Sequence, residues 1–186
     1  MKQFDYMEKW KKLLTPQIVS YLTTIHEYKG KQHLIAERHA DVLENLVEIA
    51  KIQSTESSNK IEGIYTSDER LKKIVLDKTM PKTRNEREIA GYRDVLNTIH
   101  ENFQHIPIRD TFILQLHRDL YKFENASYGG RFKTADNIIE EEDERGNKFV
   151  RFRPLPAWET PDAIINLCTA YNEAINKGEA DSLLLI

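Results

Sequence analysis

The sequence predicts a mainly α-helical protein with one β-hairpin. Most of the chain places apolar residues at the helical period of 3.6, between residues that favour helix starts and ends. Only the segment 136–156 changes to the character of short β-strands. An α-solenoid is the competing architecture, but no repeat of fixed length occurs. We therefore predict several helices with one hairpin arm.

Composition limits the class of protein. The chain has 186 residues, with 30 acidic and 27 basic side chains and a net charge of −3. That length is sufficient for one domain with its own core. The slight acidity gives no general attraction to nucleic acid or to an anionic membrane. No segment has the apolar length of a membrane span or of a signal peptide.

Cysteine usage indicates a compartment. Cys168 is the only cysteine, so no disulfide can form within the chain. A reducing cytoplasm is the location we expect for such a protein. Cys168 lies in an amphipathic segment with no evident base nearby, so we interpret it as a small core residue.

Two long helices are predicted in the N-terminal third. Thr15 is the expected N-cap of the first helix, with Pro16 at its first position and Gly30 at its end. A second helix is expected from about Leu34, and it leads into the sequence SSNKIEGIY.

Three more helices are predicted in the middle of the chain. The first begins with Thr66 and Glu69, which have the spacing of a capping box. The other two are expected in the sequences NEREIAGYRDVLNTIHENF and RDTFILQLHRDLYKF, and the sequence NASYGGRFK then reads as a loop.

The hairpin is predicted from two short strands and an acidic turn. Ile138 and Ile139 begin one strand, and FVRFR forms the other. Gly146 and Asn147 lie in the turn between them. We expect this hairpin to be exposed. Its edge is either protected against pairing by its arginines or open to an extended peptide, and the sequence favours neither.

The last part of the chain predicts a helix and an apolar end. Thr160 is the expected N-cap of that helix, with Pro161 at its first position. Asp181 or Ser182 then caps a further turn in ADSLLLI. We expect this to be the N-terminal piece of a longer protein. The alternative is a short apolar tail that packs into a groove.

Familiar catalytic sites are not evident. No histidine lies four residues from another, so we predict no metal site, and the run EEEDE reads as a solvated turn. Gly129 and Gly130 precede Arg131, and a plain loop is the favoured interpretation over a phosphate site. His117 is interpreted as a packed or capping residue.

The stretch SSNKIEGIY contains a serine, a glutamate and a glycine with the pattern S-x-x-x-E-G. Ser58 and Glu62 are four residues apart and share one helix face, and Gly63 follows at once. Alone, the same pattern also occurs at an ordinary helix end that carries a surface glutamate and a C-terminal glycine.

The order of segments resembles the Fic family of nucleotidyl transferases. SSNKIEGI is similar to that family's inhibitory motif, [S/T]-x-x-x-E-[G/N], and NEREIAGYRDVLNTI to the core helix after it. LQLHRDLY resembles the next helix. YGGRFK resembles a G-x-[YF]-R turn, with Arg131 and Phe132 in reverse order. NIIEEEDERGNKFVRF occupies the place of the flap that holds the target peptide, and RPLPAWETPDAIINLCTAYNEAI resembles the segment after it.

The resemblance implies a function for the parent protein. Members transfer AMP from ATP, with Mg²⁺, to a Ser, Thr or Tyr hydroxyl of a protein. The family signature H-P-F-x-[DE]-G-N-G-R carries the catalytic base, the metal ligand and the phosphate-binding loop, and it is absent from this sequence. The resemblance thus implies no catalytic residue here, no activity of this chain alone and no tight binding of ATP or Mg²⁺.

The resemblance also assigns roles to residues of this chain. The glutamate that matches Glu62 pairs with an arginine of the signature, where the γ-phosphate would lie, so Glu62 would be inhibitory. Ser58 would support the helix or the carboxylate, and Gly63 would permit a sharp exit. A target-docking flap is implied over Ile138, Ile139, Phe149, Val150, Arg151 and Phe152.

Two organisations follow from this sequence. In one, residues 1–53 form an N-terminal helical region, and residues 54–186 form the inhibitory helix and the first part of a Fic domain. In the other, the chain is a non-catalytic helical module that binds a protein partner through the hairpin edge or the apolar end. Self-association through that apolar end is a further expectation.

Overall fold

The computed structural model describes residues 5–36, 40–124 and 126–186, and it leaves out the side chains of residues 33–41. Over these residues it is mainly helical, with one antiparallel hairpin, which confirms the predicted fold class. The elements are α1 (Tyr6–Lys9), α2 (Pro16–Ala36), α3 (Ala40–Ile61), α4 (Asp68–Val75), α5 (Arg84–Asn102), α6 (Asp110–Leu120), β1 (Ile139–Glu142), β2 (Lys148–Phe152) and α7 (Thr160–Lys177), with short 3₁₀ turns at Trp10–Leu13, Phe103–His105, Ala157–Glu159 and Ser182–Leu184.

Helix α5 is central to the packing. It contacts α3, α4 and α6, and α6 in turn packs against α7. The core between α4 and α5 contains Leu71, Ile74, Val75, Ile89 and Ala90. Ile74 and Ile89 are essentially inaccessible to solvent, and burial of a side chain of this size contributes about 1.5–3 kcal/mol.

Gly91 allows α5 and α6 to approach closely. A Cβ atom at this position would lie 1.8 Å from the carbonyl oxygen of Leu120. Since no backbone oxygen tolerates a carbon at that distance, the crossing of the two helices requires glycine.

A buried carboxylate joins α4 to the start of α5. Glu86 is buried, and its carboxylate accepts hydrogen bonds from Arg70 Nε at 2.9 Å and Arg70 Nη2 at 2.8 Å. The amide of Lys82 donates to it at 2.6 Å, and the hydroxyl of Thr66 at 3.3 Å. This charge-assisted network fixes three chain segments against one another.

The prediction for the first long helix is confirmed at its start and wrong at its end. The hydroxyl of Thr15 accepts from the amide of Ile18 at 3.2 Å, and Pro16 is the first helical residue. The helix does not end at Gly30 but continues to Ala36, so Leu34 belongs to this helix and not to the next. Glu27 and Lys31 form an ion pair at 2.5 Å across the turn that contains Gly30, which supports helical continuity there.

Two other predicted caps differ from the structure. The N-cap of α4 is Ser67, which accepts from the amide of Arg70, whereas the Thr66 hydroxyl is bonded to Glu86. The N-cap of α7 is Glu159, and the hydroxyl of Thr160 donates to the carbonyl of Pro156. In both cases the hydroxyl of the predicted residue donates to a group other than the end of its own helix.

The hairpin is exposed along both strands, as predicted. Glu140 pairs with Val150 and Glu142 with Lys148, with an irregularity between Ile139 and Glu140. Lys133 Nζ donates to Asn137 Oδ1 at 2.8 Å and to the Leu155 carbonyl at 2.5 Å, which joins the two ends of the hairpin. The base is therefore fixed, while the strands extend into solvent.

The C-terminal residues form one turn against the rest of the chain. Asp181 caps it by accepting from the Leu183 amide at 2.9 Å, as predicted. The carboxylate of Asp181 also contacts His26 Nε2 at 2.5 Å, which links this turn to α2. Leu185 is buried, whereas Ile186 is exposed. No helix in the described ranges has the length and apolar character to cross a membrane.

Replacement of Glu86 by glutamine is expected to lower the free energy of unfolding by about 3 kcal/mol at neutral pH. Hydrogen bonding from Arg70 lowers the pKa of Glu86 from 4.5 to about 2. Because the pKa is lower in the folded state, ionised Glu86 stabilises the fold when the pH is above its unfolded-state pKa of about 4.5. This contribution is lost as the pH falls towards the folded-state pKa of about 2. Denaturant titrations at neutral and acidic pH should therefore give a smaller difference between wild type and E86Q in acid.

Glu69→Gln is the matched control for this experiment. Glu69 lies on α4, and its side chain is 78% exposed where it pairs with Lys73. Its loss should change the unfolding free energy much less than that of Glu86, because the exposed pair is screened by solvent. Equal effects of E69Q and E86Q would contradict the assigned role of Glu86.

Candidate functional site at the end of helix α3

The residues of the S-x-x-x-E-G motif lie at the C-terminal end of α3. Gly63 has a φ of +73°, in the left-handed region, directly after the helix ends. The Ile64 amide donates to the carbonyl of Asn59 at 2.9 Å, and the Gly63 amide donates to that of Lys60 at 3.0 Å. This pair of bonds is a Schellman motif, so Gly63 terminates the helix one residue beyond Glu62.

Polar contacts hold this helix end on α5. The hydroxyl of Tyr92 donates to Ser58 Oγ at 2.9 Å. Asn85 Nδ2 donates to the carbonyl of Tyr65 at 3.1 Å, just after the turn. Ile64 packs against the apolar core between α4 and α5. The position of Glu62 is thus fixed on both sides along the chain.

The Glu62 side chain lines a groove of about 650 Å³ between α3, α5 and the end of α6. Among the described residues, no side chain forms an ion pair or hydrogen bond with its carboxylate. Arg84 lines the same groove, but its Nε already donates to Glu88 at 3.0 Å. The groove therefore presents a carboxylate that is available to a further donor.

The charged residues that line the groove are Glu62, Glu88 and Arg84, and Arg84 compensates Glu88, so the carboxylate of Glu62 is the uncompensated charge among them. Burial raises the pKa of nearby Glu124, with the charge of Glu88 as the next cause. Burial likewise raises the pKa of Tyr121, which lines the wall of the groove. The uncompensated carboxylate of Glu62 favours a cationic donor such as a guanidinium and repels a phosphate.

The Gly-Gly turn offers no backbone cradle for an anion. The amide of Gly129 donates to Ala126, that of Gly130 to His117 Nδ1 at 3.1 Å, and that of Arg131 to Tyr128. Because all three amides are used within the chain, this geometry supports the plain loop. His117 is the packed, hydrogen-bonded residue that was predicted.

Lys133 follows the Gly-Gly turn in the sequence and joins the two ends of the hairpin.

The other predicted site residues lie apart from this groove. The hairpin residues Ile138, Ile139, Phe149, Val150, Arg151 and Phe152 are exposed. Cys168 is buried, as predicted, and burial raises the pKa of its thiol. In the part of the chain that the structure describes, no group of three or more His, Cys, Asp or Glu side chains is placed to hold a metal ion.

Sequence reasoning missed the residues of α5 that form the groove. Asn85, Glu88 and Tyr92 are spaced i, i+3 and i+7, which places them on one helix face. This polar stripe was a usable signal. It does not reveal that the end of α3 covers it.

Comparison with known proteins gives a likeness among the solved structures. No family model and no curated protein matches the sequence. A crystal structure of a Fic-domain-containing signalling protein from Bacteroides thetaiotaomicron aligns with a TM-score of 0.60 and 19% identity, over 76% of this chain and 53% of that chain. The present chain thus spans about half the length of that protein. The likeness shows that the chain has a Fic-like fold.

Alanine at Gly63 should destabilise the protein, whereas alanine at Gly30 should stabilise it. A Cβ at either position would meet no atom within 4 Å, so only the backbone distinguishes them. The left-handed φ at Gly63 makes alanine cost about 1–2 kcal/mol. Within α2, alanine in place of Gly30 gains about 1 kcal/mol.

Thermal unfolding of G63A, G63N and G30A measures this difference. Asparagine tolerates the left-handed region better than alanine, so G63N should be the milder variant at this position. Equal behaviour of G63A and G30A would contradict the helix end at Gly63.

Proposed function

We propose that this chain is the regulatory and target-docking part of a Fic-type protein adenylyltransferase. The parent protein would transfer AMP from ATP to a Ser, Thr or Tyr hydroxyl of a protein. The Fic-like fold supports this class, and the motif at Ser58, Glu62 and Gly63 supports self-inhibition. Residues 54–186 would contribute the inhibitory helix and the first part of the catalytic domain. In the sequence they follow the helical region of residues 1–53.

The carboxylate of Glu62 carries the inhibitory part of the proposal. It lies at a fixed helix end, lines a groove between α3 and α5 and has no ionic partner among the described residues. An arginine of the signature loop would form a two-pronged pair with it. A guanidinium held in this way is not available to a nucleotide phosphate, and the carboxylate repels that phosphate.

ATP and Mg²⁺ do not fit the residues of this chain. The signature motif is absent, the described residues offer no acidic metal-ligand group, and the amides of the Gly-Gly turn are bonded internally. Both cofactors would belong to the full-length parent, and no step of the transfer is assigned to a residue here. We therefore propose that the isolated chain is inactive.

In the full-length protein, Glu62→Gln is expected to raise auto-modification at least several-fold. The amide keeps the shape of the side chain but cannot form the charge-assisted pair, so the signature arginine is released to the nucleotide. Incorporation of labelled AMP, measured with a gel assay, reports this. Glu62→Gly should act in the same direction.

Glu56→Gln is the matched control for this assay. Glu56 lies on the same helix and pairs with Lys60 at 2.5 Å, outside the motif. It should leave labelling unchanged. The 186-residue chain alone should incorporate no AMP into any protein. Unchanged labelling in E62Q, or labelling by the chain alone, would argue against the proposed assignment.

Exposed apolar side chains support a second candidate, a helical module that binds a protein partner without catalysis. Val19 and Tyr21 on α2 and Leu46 and Val47 on α3 are all about half exposed, at 48%, 54%, 53% and 52%. Such faces are typical of interaction surfaces. Sedimentation of the purified chain separates the two candidates. A stable folded monomer favours the module, whereas self-association that is weakened by V19S/L46S favours a fragment with uncovered surfaces.

A further inference from the structure

The two strands of the hairpin form an isolated sheet with open edges. In the described part of the chain, this sheet contains only β1 and β2, and both strands are exposed along their length. No other described backbone group bonds to either outer edge. Lys133 and Asp136 fix the base, since Asp136 Oδ1 accepts from the Ala157 amide at 2.7 Å. The hairpin is thus held in place with its edges free, which is the arrangement that strand addition requires.

The hydrogen-bond pattern identifies the outward groups of β1. The Asp143 amide donates to the Asn147 carbonyl at 3.0 Å, so this pair is hydrogen-bonded. Opposed pairs in an antiparallel ladder alternate, so Glu142 and Lys148 form a non-hydrogen-bonded pair, and so do Glu140 and Val150. The amides and carbonyls of Glu140 and Glu142 therefore point away from β2, towards an added strand.

The side chains of these same residues form no ion pair in the described part of the chain, although Lys148 lies opposite Glu142 in the register. Arg151 pairs with Glu141 at 2.9 Å on one face of the hairpin. Glu140 and Glu142 lie on the opposite face, since side chains alternate along a strand. Neither has an ion-pair partner among the described residues. The outer edge of β1 thus combines outward backbone groups with two free carboxylates on one face.

Charge determines which strand each edge accepts. Two copies of β1 side by side would oppose carboxylates, which disfavours symmetric pairing of this edge. A strand with lysine or arginine at two alternate positions would place both cations beside Glu140 and Glu142. The outward residues of β2 are Lys148 and Val150, one cation and one apolar side chain, so that edge carries no comparable charge pattern.

We propose that the outer edge of β1 binds an extended, basic segment of a partner protein, with cationic side chains at alternate positions opposite Glu140 and Glu142. This names the class of target for the docking role and rests on the proposed function of the hairpin. Added backbone hydrogen bonds supply affinity, and the two carboxylates select the sequence.

Synthetic heptapeptides test this with the 186-residue chain. The basic probe alternates threonine and lysine, and matched peptides carry glutamine or glutamate in place of lysine. At low salt the lysine peptide should bind about tenfold more tightly than the glutamine peptide in fluorescence anisotropy, from two cross-strand charge pairs. This preference should disappear at about 1 M salt, where the Debye length is ~3 Å. A lysine peptide with alternate N-methylated amides should bind far more weakly.

Paired charge variants locate the site. E140Q/E142Q should remove the preference for lysine over glutamine, whereas E44Q/E48Q removes two exposed carboxylates from α3 and should leave it intact. Preference for the glutamate peptide, equal binding of the N-methylated peptide, equal effects of the two double variants, or no binding of the lysine peptide up to millimolar concentration would each overturn the proposal. The assay involves no AMP transfer, so this outcome is independent of the Glu62 test.

Discussion

The pair between the buried carboxylate of Glu86 and the guanidinium of Arg70 is the contact on which the arrangement of the site depends. The Glu86 carboxylate accepts from the side chain of α4, from the segment before α5 and from Thr66, which follows the turn at Gly63. It therefore joins the exit from α3 to the two helices that form the core. The side chain of Glu86 is 5% exposed and that of Arg70 is 23% exposed, so their geometry is more restrictive than that of the exposed i, i+4 pair between Glu69 and Lys73 on α4.

The two acidic features of the molecule differ in their mechanical support. Glu62 lies at a helix end that the Gly63 turn terminates. Two side chains of α5 bond to this helix end, Tyr92 to the Ser58 hydroxyl and Asn85 to the carbonyl just after the turn. Such a carboxylate suits a single partner with fixed geometry. Glu140 and Glu142 both lie on β1, in a hairpin that is held only at its base. These carboxylates suit a partner that supplies its own backbone pairing. The same side-chain chemistry is therefore suited to two kinds of recognition.

The sequence was most informative where local chemistry determines structure. Pro16 after Thr15, and the turn between the two strands, needed no tertiary information. Gly30 and Gly63 show where such reasoning stops. Both follow long helical patterns, but only Gly63 has a following apolar residue, Ile64, that enters a core. The groove was predictable only in part. The polar stripe on α5 predicts which face of that helix lines a groove, but it does not predict that the end of α3 covers this face.

A carboxylate can inhibit a nucleotide site only if its position is independent of the ligand that it excludes. The contacts that fix Glu62 all lie within this chain: the Schellman turn, the Tyr92 bond to Ser58 and the packing of Ile64. None of them involves the carboxylate itself, which remains available for a guanidinium. In the proposed inhibitory role, release would need loss of the charge, rotation of the Glu62 side chain or movement of the helix end. Movement of the helix end requires its polar contacts with α5 to break, so a ligand that bound elsewhere would have to compete with those contacts to move it.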